Sequence, residues 1–316
     1  MRARLLAYIL LLIGMLSLSL TATASVNSVV VLAPGYDGNY GNFAKSFSQK
    51  IRGKIKQLKL VTLEDFDKTT LTPDTLVITL GPQALQHALR RTNATRVIAQ
   101  LITSEEYFAL GDEARPAADK YVKVVFHDAP LLRQILLAHF LVMDARRIGL
   151  LLTQQEVNEI PGVKNRLAPV EVELDYRLAG EPENMTRDLL EVINDNDVLI
   201  ATPNKSIYNR RTIRTILLAS YRQEKVVIGY SASFVKAGSL ASTYTTVPLL
   251  IEELSGFLDR LIDEDPISWQ ADFTDHFDVV INARVARSLS LPTPDPEQVK
   301  SRIKALEEKL EKAPVP

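Results

Sequence analysis

The sequence predicts an α/β protein of two similar lobes, each a parallel, doubly wound sheet covered by helices, with a ligand cleft between them. Three observations carry this. Short apolar runs rich in β-branched residues alternate with helical patterns, as βαβ units require. The alternation starts over near residue 130, which makes two units rather than one long sheet. Small polar clusters follow the strands, and in open α/β sheets ligands sit outside the carboxyl ends of strands.

The chain opens with Met1-Arg2-Ala3-Arg4, an apolar run over 5–20 and Thr21-Ala22-Thr23-Ala24-Ser25. A positive start, an apolar centre and an Ala-x-Ala site read as a secretory leader, 1–24, cleaved after Ala24. The rival is an uncleaved anchor, because the run approaches spanning length. Later apolar runs are broken by charge or turn residues too soon to span, so an exported, soluble protein is expected.

The first lobe begins with Val29-Val30-Val31-Leu32, a strand buried on both faces. The Gly- and Asn-dense stretch Ala33-Pro34-Gly35-Tyr36-Asp37-Gly38-Asn39-Tyr40-Gly41 marks a sharp loop after it. A helix follows over 42–52 on the spacing of Phe43, Phe47 and Ile51. Further strands are expected at 58–61, 75–80, 96–102 and 122–126. The strand at 75–80 runs into Gly81-Pro82-Gln83, a turn that aims helix-terminal N–H groups above the sheet. The next strand ends in Thr103-Ser104 and the last in His127-Asp128.

Pro130 opens a helix to about residue 143, and the order of elements begins again. A strand at Ile148-Gly149-Leu150-Leu151-Leu152 ends in Thr153-Gln154-Gln155, a second is expected on the alternation of Val170, Val172 and Leu174, and a helix on 184–194. Residues 198–244 hold the clearest unit. Val198-Leu199-Ile200-Ala201, the polar turn Thr202-Pro203-Asn204-Lys205-Ser206, a long helical pattern and Val226-Val227-Ile228-Gly229 make strand, crossover helix and strand. A helix over 247–262, a strand over 277–282 and a short helix over 285–289 are left over, so the chain must pass between lobes more than once. The tail is flanked by prolines and rich in Lys and Glu, with Val299, Ile303, Leu306 and Leu310 as its apolar stripe. It reads as a helix lying on the second lobe or free of it, or else as one that docks a partner.

Composition excludes several functions. There is no cysteine, hence no disulfide, thiol chemistry or lipid-accepting residue at the cleavage site. About 290 residues after the leader bury enough core to manage without disulfides, which points to a periplasm. The net charge of −1 falls further once Arg2 and Arg4 leave, so neither nucleic acid nor an anionic membrane is an expected partner. His87, His127, His139 and His276 show no ligand spacing, and no metal or cofactor is expected. Neither G-x-G-x-x-G nor a P-loop occurs, and Gly229-Tyr230-Ser231-Ala232-Ser233 has a serine where a nucleophile elbow needs its second glycine. No enzyme is expected.

What recurs is a set of hydroxyl, amide and aromatic residues at strand ends. In the first lobe the candidates for ligand binding are Asn39, Tyr40, Thr79, Gly81, Pro82, Gln83, Thr103 and Ser104. In the second they are Gln154, Asn204, Ser206, Tyr208, Ser231 and Ser233. Helix caps account for many of the Ser, Thr and Asn residues in such places, and a polar-lined cleft accounts for their convergence. Micromolar affinity needs about 8 kcal/mol and a neutral hydrogen bond nets about 1 kcal/mol, so apolar or aromatic burial must supply much of the rest. Arg210, Arg211 and Arg214 on the long helix form a basic face, either solvated or facing an acidic partner.

Several stretches resemble the type I periplasmic binding proteins, in particular an ABC-transporter substrate-binding family that includes aromatic amino-acid binders. Ser233-Phe234-Val235-Lys236-Ala237-Gly238-Ser239-Leu240-Ala241 resembles that family's x-x-V-K-A-G-A-L-A segment. Phe277-Asp278-Val279-Val280-Ile281-Asn282 with Ala286-Arg287-Ser288-Leu289 resembles its late F-x-x-V-I-N strand and A-x-x-L helix. Ala145-Arg146-Arg147-Ile148-Gly149-Leu150-Leu151 resembles its A-K-R-V-G-V-L segment, and Gln134 its upstream glutamine. The resemblance implies two Rossmann-like lobes joined by three crossings, near His127-Asp128, 243–246 and 275–277. It divides the chain into an N-terminal lobe, 25–128 plus about 246–275, a C-terminal lobe, 129–245 plus about 276–291, and a charged helical tail, 292–316.

The implied function is the periplasmic solute-binding component of an ABC-type importer, a monomer that takes a small polar or aromatic ligand and delivers it to a permease. The alternative is an accessory or sensor protein of the same fold that signals to another membrane protein without transport. Two departures bear on the ligand. Where many relatives read P-T-D-N, this chain has Ala201-Thr202-Pro203-Asn204, and where relatives often carry an acidic residue in the next loop it has Ser231-Ala232-Ser233. A buried ammonium without a carboxylate is costly, so an α-amino acid is disfavoured unless Asp37, Glu105 or Asp128 supplies the charge. The G-T-P-A-T form of the first-lobe turn is also missing, with Leu80-Gly81-Pro82-Gln83-Ala84 in its place.

Overall fold

The structure, a computed structural model, describes residues 25–91, 96–111 and 121–312. The expected leader lies outside them. The first lobe contains β1 (Ser28–Ala33), α1 (Gly38–Lys50), β2 (Gln57–Thr62), α2 (Leu63–Lys68), β3 (Thr75–Leu80), α3 (Pro82–Arg90), β4 (Arg96–Ile102), α4 (Ser104–Ala109) and β5 (Tyr121–Phe126). The second begins with α5 (Leu131–Leu141), β6 (Arg147–Leu152), α6 (Gln154–Val157), α7 (Ile160–Leu167), β7 (Glu173–Leu178) and α8 (Met185–Asp195). It continues through β8 (Val198–Ile200), α9 (Arg210–Arg222), β9 (Val226–Ile228), α10 (Ala232–Ala237) and β10 (Ala241–Tyr244). The chain then returns to the first lobe with α11 (Val247–Ile262) and β11 (Ala271–Phe273), and ends on the second with β12 (Asp278–Ile281), α12 (Ala283–Ser288) and α13 (Pro296–Lys312).

Each lobe carries one six-stranded sheet, in the orders β11-β5-β4-β3-β1-β2 and β12-β10-β9-β8-β6-β7. Alternation of side chains along a strand explains how both faces are covered. Val29 and Val31 enter the core under α1 and α11, while Val30 and Leu32 enter the core under α2 and α3. The second sheet repeats this, with Leu150 and Leu152 on one face and Leu151 on the other. The unit at 198–244 folds as expected, with Val198 paired in parallel to Val226. Asn209 caps its helix by accepting from the amides of Arg211 and Thr212.

Four details differ from the expectation. The second sheet is not wholly parallel, because β12 runs antiparallel to β10. The second strand of that lobe lies at 173–178, since the Val170 amide bonds back to Leu167 and the Val172 amide to Val170, which turns the chain there. Ala271-Asp272-Phe273 is too short and polar to read as a strand, yet it pairs with Val124, Val125 and Phe126. The glycine-dense loop is shorter than expected, with α1 starting at Gly38, so Asn39 and Tyr40 sit in its first turn.

Three segments, 127–130, 245–246 and 274–277, carry the chain between the sheets. A largely buried polar cluster at the start of α5 ties the last two together. Arg133 of α5 is 4% exposed and donates from Nε to both Glu307 carboxylate oxygens at 2.9 and 3.1 Å, and from Nη1 to the Thr274 carbonyl at 3.0 Å. Its guanidinium lies 4.1 Å from the Phe277 ring centroid. Thr274 in turn donates to Glu253 of α11 at 2.6 Å, and the Thr245 hydroxyl to the His276 carbonyl at 2.7 Å. Helix α13 thus lies on the second lobe, burying Val299, Ile303 and Leu310 and closing this cluster from outside.

Candidate functional site

A cavity of about 360 Å³ opens between the lobes at the carboxyl ends of both sheets. That is the edge where open α/β sheets bind ligands, and the volume lies near the lower end of small-molecule sites. The first lobe contributes Ser104, Glu105 and Phe108 from α4, Asp128 just past β5, and Phe273 of β11. The second contributes Gln154, Glu156 and Glu159 beyond β6, and Thr202, Asn204 and Ser206 beyond β8. Gln134 lies at the floor, held by its own bonds. Its Oε1 accepts from the Thr243 amide at 3.1 Å and its Nε2 donates to the Gly229 carbonyl at 3.2 Å.

The two walls are built by one local device. Thr103-Ser104-Glu105-Glu106 and Thr153-Gln154-Gln155-Glu156 both turn a strand into a short helix through a threonine paired with a glutamate three residues on. The Thr103 amide donates to Glu106 at 3.0 Å and the Glu106 amide to Thr103 Oγ1 at 3.1 Å. The Thr153 amide and hydroxyl both donate to Glu156 at 2.8 Å, and Asn204 Nδ2 donates to the same oxygen at 3.3 Å. Glu156 therefore stitches the loops after β6 and β8 together with its charge facing the cavity.

Charge is distributed unevenly. Four carboxylates, Glu105, Asp128, Glu156 and Glu159, line the cavity, and its described lining holds no lysine, arginine or histidine. Asp128 is buried, accepting from the Ser104 amide at 2.9 Å and the Ser104 hydroxyl at 2.6 Å. Burial raises its pKa against those two bonds, which favour the anion. Glu105 is raised by burial first and then by Glu156 from the facing wall, with Lys205 opposing. Glu159 is raised by burial and by Glu156 and Asp128. Part of its surface is exposed, but its carboxylate sits against the body of the protein, and the charges acting on it share its sign.

The candidate residues separate into groups. Ser104, Gln154, Asn204 and Ser206 line the cavity. Thr103 stands behind Ser104 as a helix cap, and Tyr208 is fully buried beneath the loop, its hydroxyl 3.5 Å from the Ile200 carbonyl. Burial drives the Tyr208 pKa far above the tyrosine range. Thr79 is also fully buried, and its hydroxyl has no partner. Gly81 adopts φ 84°, ψ 169°, a conformation open essentially to glycine, and a Cβ there would lie 2.2 Å from the Tyr40 hydroxyl. Gly81, Pro82, Gln83, Asn39 and Tyr40 thus shape a turn of the first lobe outside this cavity. Ser231 caps α10 by accepting from the Phe234 amide at 3.2 Å, and Ser233 faces a groove on the outer side of α9.

Sequence reasoning missed Phe108, Phe273, Glu156 and Glu159 as cavity residues, while Glu105 and Asp128 entered only as substitutes for a lost charge. The spacing of Thr153 and Glu156 is a legible capping signal, but its position opposite Glu105 depends on how the lobes face each other.

No family model matches the chain, and no curated protein matches it. Solved structures do. A ligand-free, open substrate-binding protein with adhesive properties from Clostridium difficile is 14% identical, with TM-score 0.62, over 86% of this chain and 97% of that one. An ABC domain from Streptococcus pneumonia in complex with L-Trp is 15% identical, with TM-score 0.52, over 86% and 97%. A periplasmic ribose ABC transporter protein from Conexibacter woesei is 11% identical, with TM-score 0.51, over 88% and 98%. At these identities the likeness establishes the fold, that of the type I periplasmic binding proteins, with substrate-binding proteins among its neighbours.

Proposed function

We propose that this chain is the periplasmic solute-binding component of an ABC-type importer, a monomer without catalytic activity. It holds a small polar or aromatic solute between its lobes and delivers it to a membrane permease. The observation that carries this reading is the cavity at the carboxyl ends of two sheets joined by three crossings, the arrangement in which closure of the lobes sequesters a ligand. Export follows from the leader pattern at 1–24 with cleavage after Ala24, and among the described residues no helix is long and apolar enough to cross a membrane. The lobes, 25–128 with about 246–275 and 129–245 with about 276–291, then move about the cluster around Arg133.

A thermal-shift screen of the purified mature protein against amino acids, amines, nucleosides, sugars and carboxylates tests this. A ligand that raises the Tm in proportion to the logarithm of its concentration is expected. No stabilising ligand anywhere in the screen overturns it. A second reading, a sensor that contacts a membrane protein without transport, draws support from the outer face of α9, where Leu218 and Tyr221 are 52% and 63% exposed beside Arg210 and Arg214. Co-purification of a permease favours transport, and of a receptor kinase or cyclase, sensing.

A further inference from the structure

We propose that the solute of this cleft is a small organic cation, a primary amine on an aromatic or aliphatic body, with no carboxylate of its own; this rests on the solute-binding reading above. The first observation is the composition of the walls. Glu105 and Asp128 face the cavity from one lobe, Glu156 and Glu159 from the other, and no basic side chain lines it among the described residues. Lys205 acts on Glu105 through space but is not part of the lining. His127, next to Asp128, has its Nδ1 engaged with the Ile102 carbonyl at 2.9 Å. Like charges gathered at one site repel, and an ammonium placed among them relieves that repulsion while gaining charge-assisted hydrogen bonds.

The second observation is that three backbone amides at the strand ends, which could otherwise receive an anion, are already taken within the protein. Asp128 occupies the Ser104 amide, Thr103 the Glu106 amide, and Asn204 Oδ1 the Ser206 amide at 3.0 Å. An α-amino acid would bring its carboxylate into a cleft that offers neither a cation nor those amides.

The third is independent of charge. Thr202 is 8% exposed, its hydroxyl has no hydrogen-bond partner, and the residue lies in the cavity wall. A buried hydroxyl left in this state carries a desolvation cost, which a ligand donor would remove once the side chain turns toward the cavity. An ammonium has three donors to share between such an oxygen and the carboxylates.

Apolar burial comes from the opposite wall. Phe108, 47% exposed, and Phe273 both line the cavity and stand on a ring cluster with Phe126, at centroid distances of 6.0 and 5.2 Å. These rings can stack on the ligand's body or lie against its charge.

Calorimetric titration of the purified mature protein with four probes, tryptamine, L-tryptophan, indole-3-acetate and D-ribose, separates the possibilities. Tryptamine is expected to bind at least ~10-fold more tightly than L-tryptophan, with no heat from indole-3-acetate or ribose. Glu105→Gln is expected to weaken tryptamine about 10-fold without lowering the Tm of the ligand-free protein. L-tryptophan, indole-3-acetate or ribose binding as tightly as tryptamine overturns the cation assignment and leaves the solute-binding reading standing, as does unchanged affinity in Glu105→Gln. If none of the four binds, the charge of whatever ligand the wider thermal-shift screen returns decides. A cation such as cadaverine supports the proposal, and a neutral or anionic ligand overturns it. A screen without any ligand overturns the solute-binding reading and the cation assignment with it.

Discussion

The hinge and the cleft treat buried charge in opposite ways. At the hinge Arg133 is matched, with Glu307 on its Nε, a carbonyl on its Nη1 and Phe277 beneath its plane. In the cleft four carboxylates face one cavity, with Lys205 opposing at Glu105 from outside the lining and a threonine hydroxyl unpartnered beside them. A satisfied network fixes one geometry, whereas an unsatisfied one stores a free-energy deficit that a ligand can remove. The Arg133 cluster holds the crossings in register, and on the proposed reading the cleft is stabilised by what enters it.

The largest perturbation of the matched region is loss of the tail helix. Ending the chain at Asp295 removes the burial of Val299, Ile303 and Leu310 and uncovers Arg133. Three apolar side chains at roughly 1.5–3 kcal/mol each suggest a cost on the order of 5 kcal/mol or more, confined to the second lobe. The urea unfolding curve should then split into two transitions, the first belonging to that lobe. A single transition with an unchanged midpoint would show that the tail is not part of its structure.

Next comes Arg133→Ala, which leaves Glu307 without its cation in a part-buried site. Breaking a buried pair from one side costs about 3–5 kcal/mol. Burial already holds the Glu307 pKa above the usual range against the pull of Arg133, so the lone carboxyl should take up a proton more readily still. Arg133→Met with Glu307→Leu should recover most of the loss in urea melts, since an apolar replacement of the whole pair avoids the stranded charge. Gln134→Ala is smaller, about 1–3 kcal/mol for the buried Thr243 amide left without its acceptor. It touches hinge and cavity floor together without changing the charge of either, so its effect on ligand affinity should stay well below that of Glu105→Gln.

How much of this was legible in the sequence divides along the same line. The sheets were legible because strands buried on both faces announce themselves as continuous apolar runs, as at Val29 to Leu32 and Val198 to Ile200. Strand β11 was not, because three residues exist as a strand only through their pairing with β5. The polar strand ends pointed to the right edge of each sheet, and Ser104, Gln154, Asn204 and Ser206 do face the cavity. Glu105, Asp128, Glu156 and Glu159 come from three separate loops on two lobes, so no spacing rule unites them. The substitution at Pro203 read as a lost counter-charge, but counter-charge is a property of the closed site and not of one loop.

The smallest effect tests the comparison most directly, because its sign differs from the hinge substitutions. Glu105→Gln removes one of the mutually repelling carboxylates, so it should stabilise the ligand-free protein at neutral pH. The gain should be a few tenths of a kcal/mol, because Glu105 is partly open to solvent and screened. The pH dependence follows from the raised pKa of Glu105, set by burial and then by Glu156. In the folded state the group prefers its proton, so its contribution is fully present below the pKa of the unfolded chain and lost as pH rises through the folded value. Glutamine stays neutral throughout. The Tm difference between Glu105→Gln and the wild type should therefore be positive near pH 7 and shrink toward zero near pH ~4, where the unfolded carboxyl is also protonated. Scanning calorimetry across that range measures it. A Tm lowered by Glu105→Gln at neutral pH would mean that Glu105 already has a stabilising partner, with Lys205 the first to examine, and that the cleft is matched much as the hinge is.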